Sequence, residues 1–86
     1  AKEEVLDIYW RLLDESAAYA DDWSDEVRAK TELLIKFPEM GRMVPDKDLR
    51  FLREVFVGKY RIIYSYLSGT INILAVRHMA RPLGRL

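Results

Sequence analysis

Two turn signals confine the second half of this chain to a sheet. Gly58-Lys59 and Ser68-Gly69 bracket residues 60–67, and that stretch is built from Tyr, Ile and Leu around single Arg and Ser residues. Residues 70–77 continue with Ile, Leu and Val at the same density. Aromatic and β-branched runs of this length between tight turns read as strands. A chain reversed twice over so short a span forms an antiparallel meander, with residues 49–57 as its first strand. Glycine in the second place of Ser68-Gly69 suits a type I′ loop, in which both central residues take positive φ. A two-residue loop there pairs Leu67 with Thr70, Ser65 with Asn72, Ile63 with Leu74 and Arg61 with Val76. Strict alternation then sends Ile62, Tyr64, Ile71, Ile73 and Ala75 to one face, the expected core. Arg61, Ile63, Ser65, Thr70, Asn72, Leu74, Val76 and His78 go to the other, a half-polar face expected to be open to solvent or a partner.

The first half has a different period. In residues 2–20, Val5, Ile8, Tyr9, Leu12 and Leu13 recur at helical spacing, and so do Leu6, Trp10 and Ala17. Glu3, Glu4 and Asp7 suit the positive end of that helix. Ser24 reads as the N-cap of a second helix over 24–36, with Trp23 and Val27 as a hydrophobic staple around it. Phe37-Pro38 ends it, because the residue before proline avoids the α conformation, and 38–48 reads as an exposed loop. Helices followed by a meander give an α+β fold, a helical hairpin packed on a small antiparallel sheet. Leu12, Leu34, Ile62, Tyr64 and Ile73 are its expected core.

At 86 residues the chain makes one domain, 1–86, with a thin core. It has no cysteine, which excludes disulfides and thiolate chemistry. The acidic, helical start does not read as a signal peptide, no apolar run approaches the roughly 20 residues that span a bilayer, and a cytoplasmic location is expected. The net charge of zero hides a division. Residues 1–48 carry 7 Lys/Arg against 13 Asp/Glu, and residues 49–86 carry 7 against a single acid, Glu54. The second half is therefore suited to an acidic partner, although mutual attraction of the two halves would use the same charges.

Within that cationic half, Arg61 stands diagonal to His78 on the open face, in reach for long side chains. Arg50 and Arg53 precede it, and Arg77, Arg81 and Arg85 follow. An Arg cluster with one His can grip phosphate and move protons; the plainer alternative is a solvated basic rim with a structural histidine. Asp21, Asp22, Asp25 and Glu26 lack the glycine turn and ligand spacing of a calcium loop. There is no nucleophile elbow, phosphate-binding glycine loop or zinc motif, so neither metal nor cofactor is expected.

Three segments carry a family likeness. Phe37-Pro38-Glu39-Met40-Gly41-Arg42 resembles the "FPxMGR" loop of ParE/RelE toxins. Residues 52–64 resemble the "LRxxxVGxYRIxY" strand pair, and residues 71–83 the closing "ILxVxHxAR" segment. The resemblance implies a toxin of a type II toxin–antitoxin system, neutralised by a ParD-like or RelB-like antitoxin, with plasmid stabilisation as its setting. Family members open with a short strand, whereas this sequence begins inside the first helix, so either the sheet lacks that strand or residues before Ala1 carry it. RelE-like members cut messenger RNA on the ribosome, and ParE-like members poison DNA gyrase. For RNA cleavage, Arg61, His78 and Arg81 would be the catalytic set. Leu52 and Glu54 stand near where RelE-like enzymes carry lysines, and no Tyr follows Arg81. In-line cleavage needs both a base and an acid, and one of them has no owner. The likeness therefore points to a gyrase-binding protein, with Arg50, Arg53, Arg77, Arg81 and Arg85 as partner contacts. The alternatives are ribosome-dependent RNA cleavage and an inactive relative that keeps only antitoxin binding. No membrane partner is implied.

Overall fold

The computed structural model describes residues 2–80. Two helices, α1 (Lys2–Glu15) and α2 (Ala17–Lys36), form a hairpin. Four strands follow: β1 (Arg42–Met43), β2 (Leu52–Val57), β3 (Tyr60–Leu67) and β4 (Thr70–His78). They form one antiparallel sheet in the order β1-β2-β3-β4. The α+β architecture is the one read from the sequence, with a two-residue strand added where an exposed loop was expected.

The helix break falls at Ser16 and not at Ser24. Ser16 has extended dihedrals, φ −163° and ψ 121°, and its hydroxyl accepts the Tyr19 N–H at 3.2 Å. Its own N–H still closes the last turn of α1 on the Leu12 carbonyl at 2.9 Å, so one residue ends one helix and caps the next. Ser24 lies inside α2, and Trp23 is no staple. It is buried against the sheet, where its indole N–H donates to the Val57 carbonyl at 3.1 Å. The acids Asp21, Asp22 and Asp25 imitate a helix start, but here they line the solvent side of a helix already under way.

Both turns behave as their residues dictate. Ser68 (φ 53°) and Gly69 (φ 77°) both take positive φ, as a type I′ loop requires. Gly58 (φ 59°) turns β2 into β3. Near the second turn the expected register is observed, with Leu67 opposite Thr70 and Ser65 opposite Asn72. Beyond Tyr64–Ile73 it shifts, and Ile63 then faces Ala75, Ile62 faces Val76 and Arg61 faces Arg77. Leu74 is the extra residue of a β-bulge. Every β4 residue past it changes face relative to the sequence expectation.

The main core lies between the hairpin and the sheet, with Ile8, Leu12, Trp23, Leu34, Ile62, Tyr64 and Val76 buried in it. Of the expected core, Leu12, Leu34, Ile62 and Tyr64 are buried, whereas Ile71 and Ile73 are only partly covered. Ala75 turns the other way and joins Val44, Leu52 and Ile63 in a small second cluster. The sheet face expected to be open is thus covered in part by the segment after β1. At the sheet's other side, β4 meets α1: the Glu4 carboxylate accepts the Val76 N–H at 3.3 Å and pairs with Arg77.

Two substitutions separate this helix boundary from the expected one. Ser16→Ala removes a cap and should cost about 1 kcal/mol, whereas Ser24→Ala should stay within about 0.5 kcal/mol. Urea unfolding of both variants reads the difference, and equal losses would place the boundary elsewhere.

Candidate functional site

The segment 37–46 is bound to the sheet by an unbroken chain of polar contacts. Phe37 closes α2 by donating its N–H to the Leu33 carbonyl at 2.8 Å, and Met40 turns back onto the Phe37 carbonyl at 3.0 Å. The buried Tyr64 hydroxyl donates to the Pro38 carbonyl at 2.7 Å and accepts the Gly41 N–H at 3.0 Å. Burial raises the Tyr64 pKa above that of an ordinary phenol, so the hydroxyl keeps the proton it donates. Gly41 owes its identity to space. A Cβ there would lie 2.6 Å from the Tyr64 hydroxyl and 2.7 Å from the Glu54 carbonyl. Arg53 reaches from β2 to the carbonyls of Glu39 and Gly41, at 3.2 and 2.7 Å.

One residue on, Arg42 starts an ion network. Its Nε donates to Glu54 Oε2 at 2.7 Å, and its guanidinium lies 5.0 Å from the centre of the Phe56 ring. The other Glu54 oxygen accepts from Arg61 at 3.0 Å. Arg61 also holds Asp46 in a two-point contact, 3.1 and 2.9 Å. The Glu54 side chain is wholly buried and that of Arg61 is 7% exposed. Hydrogen bonding to Asp46, and after it to Glu54, holds the Arg61 pKa above its ordinary value against the opposing effect of burial. Buried charges persist only where geometry and hydrogen bonds compensate their desolvation, and here the two strands and the loop supply that geometry together.

His78 does not join Arg61. It stands opposite Tyr60, and the rings meet edge-on at 5.3 Å. Tyr60 meets Trp23 in the same way at 5.5 Å, which places His78 on the helix side of the sheet. It lines a cleft there with Arg11 and Tyr60. Its Nδ1 accepts the Ala80 N–H at 3.1 Å. The diagonal pair expected from unbroken alternation is therefore not formed, because the bulge at Leu74 moves His78 to the face opposite Arg61.

The remaining arginines divide. Arg53 ties down the 39–41 backbone, Arg77 is engaged by Glu4, and Arg50 is exposed on the approach to β2. Arg81 and Arg85 lie outside the described residues. Sequence reasoning missed Asp46 and Glu54 as partners of Arg61, and Arg42 as the second cation on Glu54. One signal was available: Glu54 is the lone acid of residues 49–86, and a single carboxylate among cations is a natural hub.

The loop and strand motifs thus converge on one structure, with Gly41 against Tyr64 and Arg42 and Arg61 on Glu54. The family model of the ParE toxin of type II toxin–antitoxin systems, parDE, matches residues 1–83. The chain belongs to the ParE toxin family. No curated protein is similar enough to the chain to count as a match. As a member of this family it is a type II toxin, and a cognate antitoxin is its implied partner. Among the described residues, no helix of the toxin is long and apolar enough to cross a membrane.

Two substitutions probe this network. Gly41→Ala should destabilise the toxin by about 1–3 kcal/mol through overpacking. Arg61→Met should cost about 3–5 kcal/mol, since it leaves Glu54 buried without its inner partner. Denaturant titration measures both, and a loss below about 1 kcal/mol for Arg61→Met would show that the pair carries little of the fold.

Proposed function

We propose that this toxin acts as a gyrase-poisoning binding protein, neutralised by its cognate antitoxin, rather than as a ribonuclease. The observation that carries the reading is the state of Arg61. Its guanidinium is buried and committed to Glu54 and Asp46, and His78 stands on the opposite face of the sheet. Phosphodiester cleavage by proton transfer needs an acid, a base and a phosphate ligand around one substrate. Arg61 and His78, the natural candidates for two of those roles, do not face one substrate. Inhibition by binding needs no such convergence, only a surface.

A surface suited to the antitoxin lies where α2 meets the loop. Phe37, Met40 and Tyr66 line an apolar groove with Lys36, Pro38 and Glu39. Arg53 holds the groove's backbone, and Arg50 precedes Phe51, whose carbonyl accepts the Tyr66 N–H. Apolar anchors beside cations suit a segment that carries both apolar and acidic side chains. Arg81 and Arg85, the cations that follow β4 in the sequence, are assigned to the gyrase contact, and Arg77 joins them only where that contact displaces its pairing with Glu4.

The reading is tested by expressing variants without antitoxin and measuring growth, gyrase supercoiling and message cleavage on programmed ribosomes. Toxicity should coincide with loss of supercoiling. His78→Gln should change it little, whereas Arg81→Ala or Arg85→Ala should weaken gyrase binding by about 1–3 kcal/mol where the side chain is buried on contact. A toxic parent protein that leaves supercoiling intact and cleaves message would overturn the proposal.

A further inference from the structure

The outer face of α1 has the makings of an interaction surface separate from the groove and the tail. Trp10 and Leu6 follow each other at helical spacing and are 64% and 48% exposed. An indole so exposed on a regular helix is unusual, since Trp is ordinarily well covered in a folded domain. It is also held in place. Its ring meets Tyr9 edge-on, with centres 6.1 Å apart at 72°, and the Tyr9 hydroxyl donates to Asp21 at 2.7 Å. The indole is thus ordered before anything covers it, which lowers the entropy lost on binding.

The surroundings of this seam are negative. Asp7 and Asp14 lie along α1 beside Trp10 at helical spacing. On the α2 side, Asp21 and Asp25 line the cleft with Leu6 and Tyr9. Arg11 lies a helical turn from both Asp7 and Asp14, and with Asp7 it lines the cleft that holds Tyr60 and His78. An apolar strip flanked by carboxylates that outnumber Arg11, its neighbouring cation, is complementary to a helix with an apolar stripe edged by Lys or Arg. A second copy of α1 would bring acid against acid, and the acidic segment suited to the groove at Phe37 would be repelled here.

We propose that the Leu6–Trp10 seam docks a basic amphipathic helix of a partner protein. The seam is chemically opposite to the cationic half of the toxin, so it provides a second contact of different specificity. Trp10 is its anchor, because buried indoles concentrate binding energy at such contacts. The carboxylates set orientation and speed of encounter and make the contact salt-dependent.

The experiment uses the whole chain and a synthetic helical peptide with a Leu stripe flanked by Lys. Two controls are a Lys→Glu version and a scrambled peptide of the same composition. Binding is measured by calorimetry, and in the parent also by tryptophan fluorescence, since Trp23 is buried and bonded to Val57 and the change therefore reports Trp10. The Lys peptide should bind, weaken about tenfold or more between low and high salt, and weaken about tenfold or more with Trp10→Ala. Circular dichroism of Trp10→Ala should be unchanged, since the residue lies outside the core. Equal binding of the scrambled peptide would reduce the seam to a charged surface and overturn the proposal. So would indifference to Trp10→Ala, or sedimentation showing a dimer that Trp10→Ala dissolves. None of these readings depends on gyrase or on the antitoxin.

Discussion

Glu54 sits wholly buried at the centre of the sheet, and a carboxylate in that position dictates much of what surrounds it. A buried unpaired charge costs several kcal/mol, so each Glu54 oxygen must find a cation. One finds Arg61 on the neighbouring strand and the other finds Arg42 on β1. To bring Arg42 there, the chain after α2 must run close to β2, and that proximity requires glycine at position 41. Asp46 then closes over Arg61 from the same segment. The result is a loop bound to the sheet by charge, with Val44 carried onto Leu52, Ile63 and Ala75 beneath it.

This arrangement gives the toxin its division of labour. Among the described residues, the side of the sheet that carries Arg61 is occupied by ion pairs and a small apolar cluster, with His78 on the other face. The surfaces proposed for partners lie around it. The groove at the end of α2 is apolar, with Lys36 and Glu39 in its lining and Arg53 bonded to its backbone, whereas the outer face of α1 is apolar with Asp21 and Asp25 beside it. The charge division along the sequence therefore has two uses at once. Part of it is consumed inside, where Glu4 meets Arg77 and Asp46 meets Arg61. The rest remains exposed, with the acids gathered along the helices.

How much of this was legible residue by residue follows from the range of the interactions involved. Ser68-Gly69 announced its turn because positive φ at both places is a local requirement, and the pairs nearest the turn followed from it. The helix boundary was misplaced because Ser24 has the side chain of a cap, whereas the packing of Trp23 onto Val57 keeps that residue inside α2 and the break falls at Ser16. The site was legible in parts. Arg61 stood out as a residue, but its network did not, since long-range pairing brings Asp46 to it and Arg42 to the Glu54 they share.

Local chemistry, then, determined by itself the helices, the two turns, the strands between them and the family likeness, because each rests on periodicity or on the φ preference of one or two residues. Tertiary structure alone decided which face each β4 residue occupies. A single bulged residue, Leu74, leaves the hydrophobic pattern of the strand plausible in either register, and only simultaneous packing against the helices and the covering loop selects one. That selection sends Val76 and His78 toward the helices and Ala75 away from them, and so keeps Arg61 and His78 apart.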